Sequence, residues 1–295
     1  ITATAGQGEM CRLGGGITNF SGFFPVVPSK MNNTAFDTHF NGFFVYLGQK
    51  TLAFFGELGR YSLDISWAVR NFRMVRLYGR NVFSQMVQIG NNSIPTVIFV
   101  SAFVGMVTSV QSAHQFFSWI PRSLVGNLVI KSVLLELTPL LTALVLAGKV
   151  GATITAELGS MRVTEQIDAL EALAFDSISY LITPRILAGV LMFPILCIIG
   201  DFVAILGGLF GAVAVAGITS EDFISGMRNS FHISDAVYGI IKSTFFGFTI
   251  TSIASYLGYH VEGGSEGVGR STMRTVVLSC LSVVVLDFVL ASILL

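Results

Sequence analysis

The chain has 295 residues, of which 53% are hydrophobic and only 12% are charged, and its mean hydropathy is +0.74. Because soluble domains carry about twice that fraction of charge, the composition predicts an integral membrane protein with one membrane domain. The formal net charge is zero, so no basic or acidic excess indicates nucleic acid as a partner. The cysteines are too far apart for a zinc site or a disulfide scaffold and are interpreted as small core residues: Cys11, Cys197 and Cys280.

The first 42 residues form a segment rich in Gly, Asn, Ser, Thr and Pro, without sustained hydrophobic periodicity. We expect residues 1–42 to be poorly ordered, because such a segment buries too little apolar surface to offset the entropy of ordering. The chain does not begin with Met, and Met31 is a candidate natural start. A secretory signal peptide is not indicated, since no basic region precedes an apolar core.

Residues 43–88 mix apolar side chains with arginines and predict a helix that lies on the membrane surface. Arg70, Arg73, Arg76 and Arg80 recur every three or four residues, so they would share one side of a helix. Arginines on one face and aromatic side chains elsewhere suit the level of the anionic headgroups. The solvated face of a soluble helix is the alternative, and the spanning segment that follows disfavours it.

Five apolar segments follow, each close to the ~20 residues that cross a bilayer, which predicts an all-α integral membrane protein. They are Ser93–Ala113, Val125–Lys149, Ile186–Gly217, Ala236–Gly258 and Thr275–Leu295. The third is long and contains Pro194, so we expect it to tilt, kink or project beyond the bilayer. Lys and Arg are concentrated before the first span and in the second and fourth connections. This distribution predicts a cytoplasmic N-terminus and, with five spans, a C-terminus on the outer, periplasmic side.

The connection between the second and third predicted spans concentrates polar residues and predicts a short cytoplasmic helix over residues 164–174. Thr164 is a candidate N-cap, with the acidic Glu165 directly after it. Apolar residues recur here at helical spacing, namely Val163, Ile167, Leu170 and Ala174. From this periodicity alone, an ordinary amphipathic loop helix and a helix with a binding function are equally favoured.

Ionisable residues within the predicted spans are costly to bury and mark either a pathway or a buried pair. They are Lys131, Glu136, Asp201, Lys242 and Asp287. Glu136 lies near the middle of its span, just before Pro139, where a freed carbonyl group is able to face a polar cavity. Lys131 is close enough to the outer surface to snorkel. For Asp201 and Asp287, a structural hydrogen bond between helices is at least as strongly indicated as a substrate role.

The sequence contains no motif for catalysis or nucleotide binding. The P-loop pattern G-x-x-x-x-G-K-[ST] is absent, since Val150 follows Gly148 and Lys149. H-E-x-x-H is also absent, and the four histidines are scattered. The pattern G-x-S-x-G occurs once, at residues 263–267, but it lies between two predicted spanning helices and not after the strand that a nucleophilic serine of this motif requires. We therefore expect a non-catalytic chain without a metal site or cofactor of its own, and any dependence on ATP must come from a partner.

Two stretches closely resemble the signatures of one family: AGKVGATITAELGSMRVTEQIDALEAL at residues 147–173 and GYHVEGGSEGVGRSTMRTVV at residues 258–277. From them the chain is identified as a member of the MlaE family, the permease subunits of Mla/Mce-type phospholipid-transporting ABC systems. The resemblance covers roughly residues 46–295. It implies a homodimer of two permease domains, each with the surface helix on the cytoplasmic side and five spanning helices.

The resemblance also implies a set of partners. A P-loop ATPase subunit would bind ATP and Mg and would hold the helix at residues 164–174. An external MCE-domain (MlaD-like) protein would exchange phospholipid with the permease, and a STAS-domain (MlaB-like) protein is an optional further partner. The location is a bacterial inner membrane or a plastid inner envelope, and the lack of a Ser/Arg-rich transit segment favours the bacterial one.

Roles for individual residues follow from the same resemblance. Glu136 and Lys242 match positions in the family's lipid pocket, and Asp235 matches one at its outer mouth. The residues expected to contact the ATPase are Arg162, Glu165, Gln166, Asp168 and Leu170. This chain departs from the family at Leu135, where the family usually has Arg in Arg-Glu-Leu-Gly-Pro. Glu136 thereby lacks its usual neighbour, and we expect it to pair with Lys242 or to be protonated.

Two other functions stay open at this point. A secondary transporter for a small solute would use Glu136 and Lys242 for proton coupling, but five unequal spans disfavour the inverted repeats expected of it. An intramembrane lipid-modifying enzyme would use Glu136 or Asp201 as acid or base, but the sequence shows no clustered nucleophile or metal set for it. Stimulation by ATP separates the permease from both alternatives, since neither requires it.

Overall fold

The computed structural model describes residues 38–70, 75–115 and 123–294, and within these ranges every regular element is a helix. The chain divides into two units at residue 54. In the first unit, residues 38–54 form the beginning of a helix. Residues 1–37 lie outside the described ranges, so the poor order expected for residues 1–42 stays a prediction.

The helices follow one another as α1 Thr38–Arg70, α2 Val75–Gln115, α3 Ser123–Ser132, α4 Thr138–Leu146, α5 Ala152–Val163, α6 Gln166–Ala172, α7 Ser177–Ala214, α8 Ser220–Ser230, α9 Ile233–Tyr259 and α10 Gly264–Leu294. Two short π-helical segments, Val133–Leu137 and Ala147–Gly151, join α3 to α4 and α4 to α5. Five stretches of the described chain are long and apolar enough to cross a membrane: Gly79–Gln115, Ser123–Val163, α7, α9 and α10. The all-α fold with five spanning helices is therefore confirmed.

The first spanning helix begins earlier than the sequence predicted. Residues 43–88, expected to form one surface helix, contribute to two described helices, because α1 ends at Arg70 and α2 begins at Val75. Arg70 and Arg80 therefore belong to different helices, and Arg73 lies outside the described residues. The arginine-rich stretch after Val75 continues without interruption into the apolar span.

The second half of α1 is fastened to two spanning helices. The hydroxyl groups of Tyr61 and Ser252, on α9, lie 2.7 Å apart, and Thr183 of α7 donates a hydrogen bond to the Ala68 carbonyl oxygen at 3.2 Å. Burial raises the pKa of Tyr61. This half of α1 also leaves large apolar side chains exposed, Leu58, Leu63 and Trp67. An anchored helix with an exposed apolar face fits the predicted position at the membrane surface.

Helices α2 and α7 pack with their backbones in direct contact at small residues. A Cβ atom on Gly105 would overlap the carbonyl oxygen of Ala204, and one on Gly207 would overlap the carbonyl oxygen of Ala102. Small residues allow this close approach, which is how membrane helices gain packing energy without a hydrophobic driving force.

We expect Gly105→Ala to lower the stability of the fold by about 1–3 kcal/mol, because the added methyl group overpacks the contact between α2 and α7. Thermal loss of the monodisperse species in detergent measures this. Gly269→Ala on α10 is the matched control, since nothing lies within 4 Å of a Cβ atom there. Equal thermal stability of the two variants would contradict the expected result.

Candidate functional site

A cluster of three ionisable side chains joins three of the spanning segments. Lys242 of α9 is 0% exposed, and its Nζ lies 2.6 Å from Glu136 Oε2 and 2.6 Å from Asp287 Oδ1 of α10. A lone buried ammonium group would be expensive within a membrane, and two carboxylates here compensate it. Glu136 and Lys242, expected from the sequence to lie in one pathway, are thus in direct contact.

The backbone and an aromatic ring complete the environment of Lys242. Pro139 has no N–H, so the carbonyl group of Leu135 lacks the helical donor four residues on. Lys242 Nζ lies 3.5 Å from that carbonyl oxygen and donates to it. The ring centroid of Tyr238, one turn earlier on α9, lies 4.9 Å from Nζ, within the range of a cation–π interaction. Glu136 lies in the π-helical segment beside this lysine.

Glu136 is the member of the cluster that reaches open space. Its side chain is 41% exposed and lines a cleft of about 750 Å³ between α2 and the α3–α4 segment. Uncharged polar residues of α2 line the same cleft, Thr108, Gln111, Ser112 and Gln115. Apolar residues make up most of the remaining wall, Phe103, Val104, Val107, Leu128, Leu137 and Leu141. An apolar cleft with a few polar groups is the general form of a site for an amphipathic ligand.

The other ionisable residues of the spans lie apart from this cluster. Asp235 is in the first turn of α9, half-buried, about 10 Å along the helix from Lys242, and accepts a hydrogen bond from Ser234 Oγ at 3.4 Å. The thiol group of Cys197 donates to Asp201 Oδ2 at 3.9 Å within α7. Sequence reasoning considered an interhelical hydrogen bond for Asp287 but did not find its partner, because α9 and α10 carry no motif that relates Lys242 to it.

The helix expected at residues 164–174 is α6, Gln166–Ala172, and its start differs from the prediction. Thr164 is wrong as the N-cap, since it caps the C-terminus of α5 and donates to the Ser160 carbonyl oxygen at 2.8 Å. The N-cap position belongs to Glu165, whose φ of 58° is left-handed and whose side chain makes no capping bond. The chain thus turns sharply between two helices, and Glu165 carries the strain of that turn.

Hydrogen bonds clamp α6 to the ends of two spanning helices. Ser177 at the start of α7 donates to Glu171 Oε1 at 2.9 Å, and Tyr259 at the end of α9 donates to the same oxygen at 2.8 Å. Both hydroxyl groups lower the pKa of Glu171, and the effect of Tyr259 is the larger. The clamp is therefore fully formed above the ordinary pKa of a glutamate and weakens only as the pH falls through the lowered value. Ile167 adds a fully buried apolar anchor.

The structure places the five residues expected to contact an ATPase as follows. Arg162 Nη1 lies 2.7 Å from Asp168 Oδ1, and both side chains are partly exposed, so the pair contributes little stability by itself. Glu165 and Gln166 are exposed, whereas Leu170 packs partly against the core. Four of the five side chains are therefore accessible at the turn and on α6.

Sequence reasoning missed two exposed apolar side chains beside α6. Leu173 is 70% exposed and Phe175 is 51% exposed. Ala174 between them has a φ of 60°, which ends the helical pattern and leaves Ala174 outside the apolar stripe assigned to it. Both side chains lie outside the five stretches that are long and apolar enough to span a membrane, next to the exposed residues of α6.

A multi-pass helical membrane protein with a buried charge cluster and an exposed clamped helix is thus the class that this structure defines. The family model described as permease MlaE matches residues 82–293. The chain is 37% identical over 248 residues to the intermembrane phospholipid transport system permease protein MlaE of Haemophilus influenzae, covering 84% of this chain and 95% of that protein. The chain belongs to the MlaE permease family.

Further relatives agree with this assignment. A probable ABC transporter permease protein of Rickettsia bellii is 34% identical over 244 residues, which cover 83% of this chain and 94% of the relative. One of Synechocystis is 38% identical over 216 residues, which cover 73% of this chain and 82% of the relative. The matched regions include the charge cluster and the clamped helix, since the family model extends through both.

Proposed function

We propose that this chain is the permease subunit of an ABC transporter that moves phospholipids between the inner membrane and an external MCE-domain carrier. ATP would be hydrolysed by a separate P-loop ATPase, and the permease would act as a homodimer. The observation that carries the proposal is the membrane-level cleft, whose apolar wall contains one exposed carboxylate, Glu136, held by a buried lysine. The names of the Haemophilus and Rickettsia relatives support the same function.

The cleft suits a lipid in its chemistry. Apolar side chains of α2 and α4 offer a surface for acyl chains, and the polar groups of α2 together with Glu136 offer partners for a headgroup. A buried and paired Lys242 holds Glu136 in place, so the headgroup site is formed before the lipid arrives. Such preorganisation lowers the entropy cost of binding.

The clamped helix α6 suits the transmission of motion from an ATPase. Tyr259, which holds α6, and Lys242, which holds Glu136, lie on the same helix, α9, about 25 Å apart along its axis. A rigid movement of α6 would therefore reach the cleft through α9, as in domain movements driven by packed helices. The positive-inside distribution of Lys and Arg supports a cytoplasmic location for α6, with the N-terminus on the same side.

We test the proposed function by ATP-dependent transfer of fluorescent phospholipid from proteoliposomes that contain the permease with its co-purified ATPase to an acceptor MCE-domain protein. Transfer is expected to require hydrolysable ATP and to stop with a non-hydrolysable analogue. Transfer at the same rate without ATP would contradict the proposal and would favour a secondary transporter.

We expect Tyr259→Phe to uncouple ATP hydrolysis from lipid transfer while the ATPase stays bound. The variant loses the hydroxyl group that contacts both Glu171 and Ser177, which costs about 1 kcal/mol and loosens α6 from α9. The ratio of lipid transferred to ATP hydrolysed measures the effect. Tyr256→Phe is the matched control, since the Tyr256 hydroxyl group has no hydrogen bond within the described residues. An unchanged ratio in Tyr259→Phe would remove the clamp from the mechanism.

A further inference from the structure

The cleft has an unusual balance of charge. Among the described residues that line it, Glu136 is the one with a charged side chain. The described cation that contacts Glu136 is Lys242, which is fully buried and is shared with Asp287. With all three groups ionised, one positive charge faces two negative charges, so the cluster carries a formal net charge of −1. Among the described residues that line the cleft, a ligand therefore meets a carboxylate and no cation.

The two oxygens of Glu136 differ in what they offer. Oε2 accepts a hydrogen bond from Lys242 Nζ at 2.6 Å, whereas Oε1 has no hydrogen-bond partner in the part of the chain that the structure describes. The side chain is partly exposed to the cleft, so Oε1 is available as an acceptor. Carboxylate acceptors form their strongest hydrogen bonds with charged N–H donors.

The residues on either side of Glu136 strengthen this preference. Leu135 and Leu137 flank it, so neither of its immediate neighbours in the chain supplies a cation that would bind an anionic headgroup. Gln111 and Gln115 line the same cleft with uncharged amide groups, which are able to donate to a phosphate without neutralising its charge. A headgroup with both an ammonium group and a phosphate finds partners for each.

We propose that this cleft selects phospholipids whose headgroup carries a primary ammonium group, which donates a hydrogen bond to Glu136 Oε1, over phospholipids with a net negative headgroup. This inference rests on the proposed function, because it requires that phospholipid enters the cleft. Phosphatidylethanolamine has the favoured chemistry, and phosphatidylglycerol has the disfavoured one.

The test is a competition between these two lipids with identical acyl chains. The full-length permease complex is equilibrated in mixed micelles that contain equal amounts of both, and the lipid retained after purification is measured by mass spectrometry. The wild type is expected to retain phosphatidylethanolamine with a roughly fivefold preference, less than a buried charge-assisted bond allows because Glu136 is partly solvated. Glu136→Gln is expected to bring the ratio close to one, and Leu137→Lys to favour phosphatidylglycerol.

Glu221→Gln is the matched control, because Glu221 lies in the first turn of α8, is exposed and does not line the cleft. It is expected to keep the wild-type ratio. Retained phospholipid with no headgroup preference in the wild type, or an unchanged preference in Glu136→Gln, would overturn the inference and leave the proposed function intact. Failure of every variant and of the wild type to retain any phospholipid would overturn both.

Discussion

Lys242→Leu is expected to abolish lipid transfer and to lower the stability of the permease by about 3–5 kcal/mol, because it leaves Glu136 and Asp287 facing each other without their shared cation. Thermal unfolding in detergent and lipid transfer in proteoliposomes measure the two effects. Lys131→Leu is the control, since Lys131 on α3 is partly exposed and makes no ion pair within the described residues. Wild-type thermal stability in Lys242→Leu would contradict the compensated cluster.

Two further variants separate stability from transport. Lys242→Leu combined with Asp287→Leu removes one of the orphaned carboxylates, so we expect it to regain part of the lost stability without regaining transfer. Glu136→Gln keeps the Lys242–Asp287 pair, so it is expected to unfold near the wild-type temperature while its lipid transfer is impaired. Normal transfer in Glu136→Gln would remove this carboxylate from the lipid pathway.

Asp168→Arg is expected to reduce association with the ATPase at least about tenfold, equivalent to ~1.4 kcal/mol, while the chain still inserts into the membrane. The substitution breaks the pair with Arg162 and places two guanidinium groups together at the exposed turn. It leaves the anchors of α6, Ile167 and Glu171, in place. Co-purification of the ATPase with the tagged permease, measured at several salt concentrations, reports the change.

Asp222→Arg is the control for this charge reversal. Asp222 is an exposed carboxylate in the first turn of α8, in the connection between α7 and α9 that our orientation places on the outer side. It is expected to co-purify as much ATPase as the wild type. Undiminished co-purification with Asp168→Arg would show that α6 is a connector rather than a contact for the ATPase.

The sequence predicts most of the fold because membrane-spanning helices follow from local composition. Long apolar runs must form helices to satisfy their own backbone groups, so the number of spans is visible without knowledge of their packing. Helix ends were harder to predict. Thr164 resembled an N-cap, but α5 continues to Val163 and uses Thr164 as its own C-cap. The residue type that favours a cap does not say which of two adjacent helices it caps.

The candidate site was only partly predictable because its contacts join distant parts of the chain. Glu136 and Lys242 are recognisable in the sequence as charged residues within apolar spans. Asp287 becomes the partner of Lys242 only through the packing of α10 against α9. The hydrogen bonds that clamp α6 were not predicted for the same reason. They form only because the end of α9, with Tyr259, packs beside Glu171 and Ser177. Leu173 and Phe175 were missed because their exposure depends on the positive φ of Ala174, which periodicity does not predict.

The most direct test of the account is affinity purification of the tagged chain from its native membrane in mild detergent, with identification of the co-purifying proteins and of the extracted lipid. Our account predicts a P-loop ATPase, an MCE-domain protein and phospholipid in the purified material. Recovery of the chain without an ATPase, even after cross-linking, would contradict the assignment as an ABC transporter permease and would favour a secondary transporter.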